Sequence, residues 1–167
     1  TQSRSSAASD VYKRQPFDFH VALMSLPHKF GTTLETVPAV VPYLPVPKSR
    51  LKHDKLTIGI AWRGSKTNLK GLHRSCSVSD LEPLFRQKSV KFVSLQTELN
   101  KEDQKILARF DIEDLGCGVR DFLDTAEVVS GIDLIITVDT ALAHLAGGMG
   151  KPVWVMIPHG PDWRWLL

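Results

Sequence analysis

What this sequence has little of narrows its function first. No stretch approaches the roughly 20 consecutive apolar residues that a membrane-spanning helix needs, and the polar N-terminus lacks the apolar segment of a signal peptide. Cysteine is scarce: Cys76 and Cys117 stand 41 positions apart, in no metal-binding or redox spacing. A reducing compartment, and with it a cytoplasmic location, is the expectation. The six histidines form no HExxH or similar pair, so no structural metal is expected. There is no Walker loop. The one dense glycine run, GGMG at 147–150, falls at a predicted helix end and not between a strand and a helix, so the dinucleotide fingerprint fails. No internal repeat is visible.

Charge bias is lacking too, once the first residues are set aside. Ser5 to Gln15, SSAASDVYKRQ, resembles the codon-by-codon translation of a common transposase sequencing adapter. Residues 1–15 are read as a non-native, disordered tail, which implies a fragment open at both ends. Arg4, Lys13 and Arg14 against Asp10 place two of the three net positive charges in that tail, so no nucleic-acid partner is inferred. The rest is ordinary for a globular chain, at 43% hydrophobic and 23% charged residues, and long enough for a domain with its own core.

Residues 17–23 carry apolar side chains on both faces and predict a short strand, stopped by Ser25-Leu26-Pro27. Pro38, Pro42, Pro45 and Pro47 then exclude a helix and favour extended chain. The expected organisation is the end of a truncated domain at 16–30, a linker at 31–55, and a second domain from 56 to 167. In that second domain strands are predicted at 56–62, 90–95, 134–138 and 153–157, with a short edge strand at 112–115. Helices are predicted at 78–87 (capped by Ser79 or Asp80), 101–110 (Ile106, Leu107 and Phe110 inward) and 121–132 (Phe122, Ala126, Val129 and Ile132 inward). A last helix follows the strand at 134–138. Such alternation predicts α/β architecture, an open and mostly parallel Rossmann-like sheet with helices on both faces.

The most informative stretch is Asp133 to Gly150, DLIITVDTALAHLAGGMG. Leu134 to Val138 is an unbroken β-branched run, the pattern of a strand buried on both faces. Asp139 and Thr140 are good N-caps, and Leu142, Leu145, Ala146 and Met149 recur at helical spacing. A helix that starts at the carboxyl end of a buried strand presents unpaired N–H donors and partial positive charge, which suits a phosphate. The same residues also fit a plain strand-turn-helix capped by Asp139. Other polar residues follow strands: Arg63-Gly64-Ser65, Gln96 and His159-Gly160. Parallel α/β sheets bind ligands at that end, although strand-to-helix loops are polar in any case.

Several side chains there have two readings each. Lys66, Lys70, His73 and Arg74 form a loop that can supply cations to a diphosphate or stand solvated. His144, one turn after Thr140, can bond a phosphate or sugar hydroxyl, or pack half-buried. Gln96 can bind a base or ribose, or cap a turn. Trp163-Arg164-Trp165 can shape a rim or anchor a loop to the core.

Taken together, IGIAWRG, HRS, FVSLQ, DFLDTAEVVSGIDLIITVDTALAHLAGGMGKPVWVMI and PDWRW resemble the C-terminal half of bacterial glycosyltransferases related to the heptosyltransferases. More narrowly, they resemble the catalytic region of tetratricopeptide-repeat proteins of that kind. The segment FDFHVALMSLPHKFGTTLETVPAVVPYL is similar to the end of their N-terminal half and the linker. The resemblance implies a GT-B architecture with the donor nucleotide-sugar held mainly by the C-terminal domain, and inverting transfer without a metal or other cofactor. By position it implies that Asp139, Thr140, Ala141 and His144 meet the donor's phosphates and sugar, and that Arg74 and Ser75 are the RS of the first loop. That loop, SKTNLKGLHRS, departs from the usual NPxHxNDRxRS: Lys66 replaces proline and the aspartate is absent.

These readings converge on the donor-binding half of a glycosyltransferase, with Asp139, Thr140, Ala141, His144, Lys66, Lys70, Arg74, Ser75 and Gln96 around the donor. The acceptor is a glycan, lipid-linked sugar or protein. The general base is expected in the missing N-terminal half, with His20 the candidate within this chain, so the fragment alone is expected to be inactive. A sugar-nucleotide epimerase of the same fold, or a non-catalytic binding module of a repeat scaffold, would share the pocket.

Overall fold

The computed structural model describes residues 18–49, 51, 54–64 and 73–165, the Trp163 side chain excepted. The tail at 1–15 lies outside the described residues. The chain divides into two units with the break between Ala39 and Val40.

In the smaller unit the expected strand at 17–23 is not formed among the described residues. A 3-10 turn at Leu23–Ser25 leads into α1 (Leu26–Lys29), with Pro27 at its start. Proline's fixed φ suits a first helical turn, where its missing N–H costs nothing. The apolar pattern at 18–22 forms no strand, since among the described residues the smaller unit has no strand for it to pair with.

The larger unit is α/β. In order it runs β1 (Leu56–Ala61), α2 (Glu82–Phe85), β2 (Val90–Ser94), α3 (Lys101–Arg109), β3 (Glu113–Asp114), α4 (Phe122–Ser130), β4 (Leu134–Val138), α5 (Ala141–Gly148) and β5 (Val153–Met156). The five described strands form one parallel sheet in the order β3-β2-β1-β4-β5. This is the expected Rossmann-like sheet. Connections leave β1 toward β2 on one side and return to β4 on the other, so the order reverses between β1 and β4.

Alternation of side chains along each strand builds a core on both faces. Ile58, Ile60, Phe92 and Ile136 face Leu81 of the 3-10 turn before α2, Phe85 of α2, and Ile106 and Leu107 of α3. Ala61, Val93 and Ile135 face Ala126 and Val129 of α4 and Ala146 of α5. Gly59 is needed between these layers, because a Cβ there would lie 2.6 Å from Leu95 Cδ1. The Asp133 carboxylate accepts from Thr57 N at 2.8 Å, and Asp133 N donates back to Thr57 O at 3.0 Å, which aligns the start of β4 against β1.

Two helices differ from their predicted form. The 78–87 helix is a 3-10 turn at Val78–Leu81 followed by one turn of α2, and its cap is Ser77, in a reciprocal capping box with Asp80. Pro83 in the first turn of α2 lacks the N–H that a continuous helix would use. In α4, Asp121 is the cap, accepting from the amides of Leu123 and Asp124. Ala126, Val129 and Ile132 are buried as expected, but Phe122 is 65% exposed, because it stands on the first turn of α4, at the sheet's carboxyl edge.

The proline-rich segment from Val40 onward belongs to the larger unit and packs against α5. Tyr43 N and Leu44 N both donate to Gly148 O, at 2.9 and 3.0 Å, and Leu44 packs into the second core cluster. The carboxyl end of α5 is thus held by this segment.

Candidate functional site

The carboxyl ends of β1, β2 and β4 open into one cavity of about 560 Å3, within the roughly 300–1,000 Å3 of small-molecule sites. It lies where the strand order reverses, the place where open parallel α/β sheets take their ligands. Its wall includes Arg63 and Gly64 after β1, Gln96 after β2, Phe122 and Thr125 on α4, and Asp139 to Leu142 leading into α5.

Asp139 is the buried anion of this cavity, with its side chain 3% exposed. The sequence offers both Asp139 and Thr140 as helix caps; Asp139 does not cap, and its Oδ2 accepts from Arg74 Nη1 at 2.6 Å. The residue in capping position is Thr140, with extended backbone and no side-chain bond to the helix amides. Its hydroxyl lies 3.3 Å from that of Thr137. The difference has a simple cause: Arg74 offers a full charge, which outcompetes a neutral amide for a carboxylate. Burial pushes the Asp139 pKa up most strongly. Hydrogen bonding from Arg74, the nearby Trp165 indole and the charges of Arg74 and Arg164 outweigh that, so it lies below the ordinary aspartate value. The Trp165 N–H contributes although it falls short of hydrogen-bond geometry.

The first amides of α5, at Ala141 and Leu142, have no intrahelical acceptor by construction, and both residues line the cavity. His144 is half exposed, 4.0 Å from the Asp139 carboxylate through Nε2, with its ring stacked on Trp165 at 5.5 Å between centroids. The Trp163–Trp165 turn therefore reaches the site through Trp165 and Arg164.

Gln96 is buried, and its amide is occupied by protein. Oε1 accepts from Trp62 N at 3.2 Å and Arg63 N at 3.0 Å, and Nε2 donates to Arg63 O at 3.3 Å. Ser75 Oγ accepts from Gly64 N at 3.2 Å. Structure thus brings together Arg74, Ser75, Gln96, Asp139, Thr140, Ala141 and His144. Lys66 and Lys70 lie outside the described residues. His20 is exposed in the smaller unit. Among the described residues no group of three or more His, Cys, Asp or Glu is placed to hold a metal ion, and no helix is long and apolar enough to cross a membrane.

Sequence reasoning missed a second ion pair. Arg63 reaches across to Asp103 on α3, with Nη1 3.1 Å from Oδ1 and Nη2 also paired to the carboxylate, while Nη2 bonds Glu98 O. Asp103 is buried, and it also accepts from Asn100 N in the α3 capping box. Burial raises its pKa most, but the bonds from Arg63 and Asn100 and the Arg63 charge together leave it lowered. Asn100-x-x-Asp103 is a visible capping signature; that Asp103 also takes Arg63 is a tertiary fact.

Fold and cavity define a Rossmann-like α/β unit with a cavity at its switch point. Comparison with known proteins narrows this. Residues 86–155 match glycosyltransferase family 9 (heptosyltransferase), a span that runs from the end of α2 into β5 and includes Gln96, Asp139, Thr140 and His144. This match supports a glycosyltransferase. Protein FlbA of Caulobacter vibrioides is 24% identical over 168 aligned positions, covering 90% of this chain but 28% of that protein. The chain thus spans well under half the length of this relative. No solved structure matches it.

Proposed function

We propose that the larger unit is the donor-binding half of an inverting, metal-independent glycosyltransferase that uses a nucleoside-diphosphate sugar. One observation carries the reading: a guanidinium (Arg74), a hydroxyl (Thr140) and the amino terminus of α5 meet on one cavity at the sheet's switch point. In such a transfer an acceptor oxygen attacks the anomeric carbon. The bond from that carbon to the diphosphate breaks, and the leaving diphosphate takes the electron pair. Charge grows on the leaving group, so donors fixed beforehand at that position lower the barrier. The α5 amides and its dipole supply part of this field. Arg74, held by Asp139, supplies the full charge. Thr140 and His144 contact phosphate or sugar. The acceptor's proton goes to a general base, for which His20 is the candidate here. The narrower kinship, with tetratricopeptide-repeat proteins, would be supported by such repeats in the reading frame upstream of Pro16.

Calorimetric titration of the chain with UDP, ADP and GDP tests the site. Binding of one of them, weakened by Thr140→Val and by His144→Ala, is the expected result. Equal binding by the parent and both variants would move the pocket elsewhere, and no binding at all would favour a scaffold module. In the intact parent protein, release of free nucleoside diphosphate separates a transferase from an epimerase.

A further inference from the structure

Gln96 lines the cavity, yet its carboxamide is spent on backbone groups of the chain. The backbone ladder between β1 and β2 ends where Leu95 N donates to Ile60 O at 2.8 Å. Beyond that point the Gln96 side chain continues the pairing. Its carboxamide takes the amides of Trp62 and Arg63 and returns a bond to Arg63 O, as another peptide unit of β2 would. Its own N–H is held by Ser94 Oγ at 3.3 Å.

Residues 62–64 are gripped from the other side as well. Cys76 N donates to Trp62 O at 2.9 Å, and Gly64 N donates to Ser75 Oγ at 3.2 Å. A continuous path therefore runs from Gln96, through the Trp62–Gly64 backbone, to Ser75 and Cys76. The next side chain along is Arg74, 2.6 Å from Asp139. Both neighbours of this path are sparsely supported: residues 62–64 are past the end of β1, and 75–77 have no regular secondary structure. A buried amide that meets three backbone groups is a strong constraint there, because each group left unpaired in the interior is costly.

We infer that Gln96 is a positioning residue for the diphosphate site: it fixes the backbone that sets Arg74 against Asp139, and it does not itself read base or ribose. This rests on the donor-binding reading proposed above. It assigns the FVSLQ glutamine a different role from the base or ribose contact that its place after β2 first implies.

Gln96→Met keeps the length and removes all three bonds. Two measurements on the chain decide the matter. In the first, hydrogen exchange of Gln96→Met is compared with the parent. Faster exchange at residues 62–64 and 74–76, with β2 and β4 unchanged, is expected; unchanged exchange at 74–76 overturns the inference whether or not any nucleotide binds. In the second, UDP, ADP, GDP and inorganic pyrophosphate are titrated into the parent, Gln96→Met, Arg74→Ala and the double variant. A common loss of roughly tenfold is expected for every diphosphate that the parent binds, with the double variant no weaker than Arg74→Ala. A changed ranking among nucleotides with pyrophosphate unaffected would make Gln96 a direct ligand. Losses that add, with exchange raised throughout the sheet, would make it a general stability residue. Either result overturns the inference. Absence of binding by the parent overturns the donor-site reading instead and leaves the exchange experiment to judge Gln96.

Discussion

At the scale of single residues, the two buried carboxylates dominate. Asp103 and Asp139 both have pKa values below the ordinary aspartate range despite burial, because Arg63 and Arg74 hold the charged forms. The sign follows from linkage. A group with a depressed folded pKa contributes stability above its unfolded pKa and loses it as pH falls through the folded value. The larger unit should therefore lose stability progressively as pH falls below about 4, the ordinary aspartate range. Urea midpoints across that range should show a shallower slope for Asp103→Asn, which starts less stable at pH 7. An equal slope in parent and variant would mean that Asp103 does not carry the effect. Thr140→Val is the clean probe of the site. It keeps the shape, and Thr137 retains its bond to Val138 O at 3.1 Å. Loss of a hydroxyl that bonds a charged phosphate should weaken nucleotide binding by about ten- to a hundredfold, read by calorimetry, with little change in melting temperature.

At the scale of elements, glycines report how tightly the pieces approach. Gly147 and Gly148 are adjacent in α5 and should respond oppositely. A Cβ on Gly147 meets nothing within 4 Å, so Gly147→Ala should stabilise by about 0.5–1 kcal/mol through helix propensity. A Cβ on Gly148 would stand 2.8 Å from Leu44 Cδ1 and 2.9 Å from Tyr43 Cζ. Gly148→Ala should therefore cost about 1–3 kcal/mol as the segment over α5 shifts. Gly116→Ala should be worse, since its Cβ would meet the Gln96 backbone at 2.4 Å and backbone cannot turn aside. Thermal melts of the three variants give the order directly; a destabilised Gly147→Ala with a tolerated Gly148→Ala would contradict this packing.

At the scale of the whole molecule, the buried hydrophobic residues described run from Ile58 to Met149. The smaller unit contributes none of them. Removal of residues 1–39 should thus leave the melting temperature of the larger unit nearly unchanged, as measured by calorimetry. A fall of several degrees would show that the first unit stabilises the second. The family match at 86–155 falls inside this core-bearing unit, and β1 with its core residues precedes the matched span.

How much of this the sequence determined depends on range. β4 is readable as Leu134–Val138 because a β-branched run of that length, flanked by helical spacing, has few other solutions. The parallel α/β class follows from strand and helix alternating. The end of the sheet that carries the cavity follows as well, since polar residues gather after strands. Local reading failed where an apolar pattern lacks a partner strand, as at 18–22, and it left open which distant partner a polar side chain takes. Asp139 and Thr140 both suit a cap by local rules; Thr140 takes the capping position and Asp139 pairs with Arg74, 65 positions away. Gln96 could bind a ligand or cap a turn by local rules; its carboxamide closes on Trp62 and Arg63, 34 and 33 positions away. Local patterns specify elements because helix and strand periods are properties of neighbouring residues. Only the tertiary structure decides which charge meets which, because that choice rests on side-chain geometry after the sheet has brought separate strand ends together.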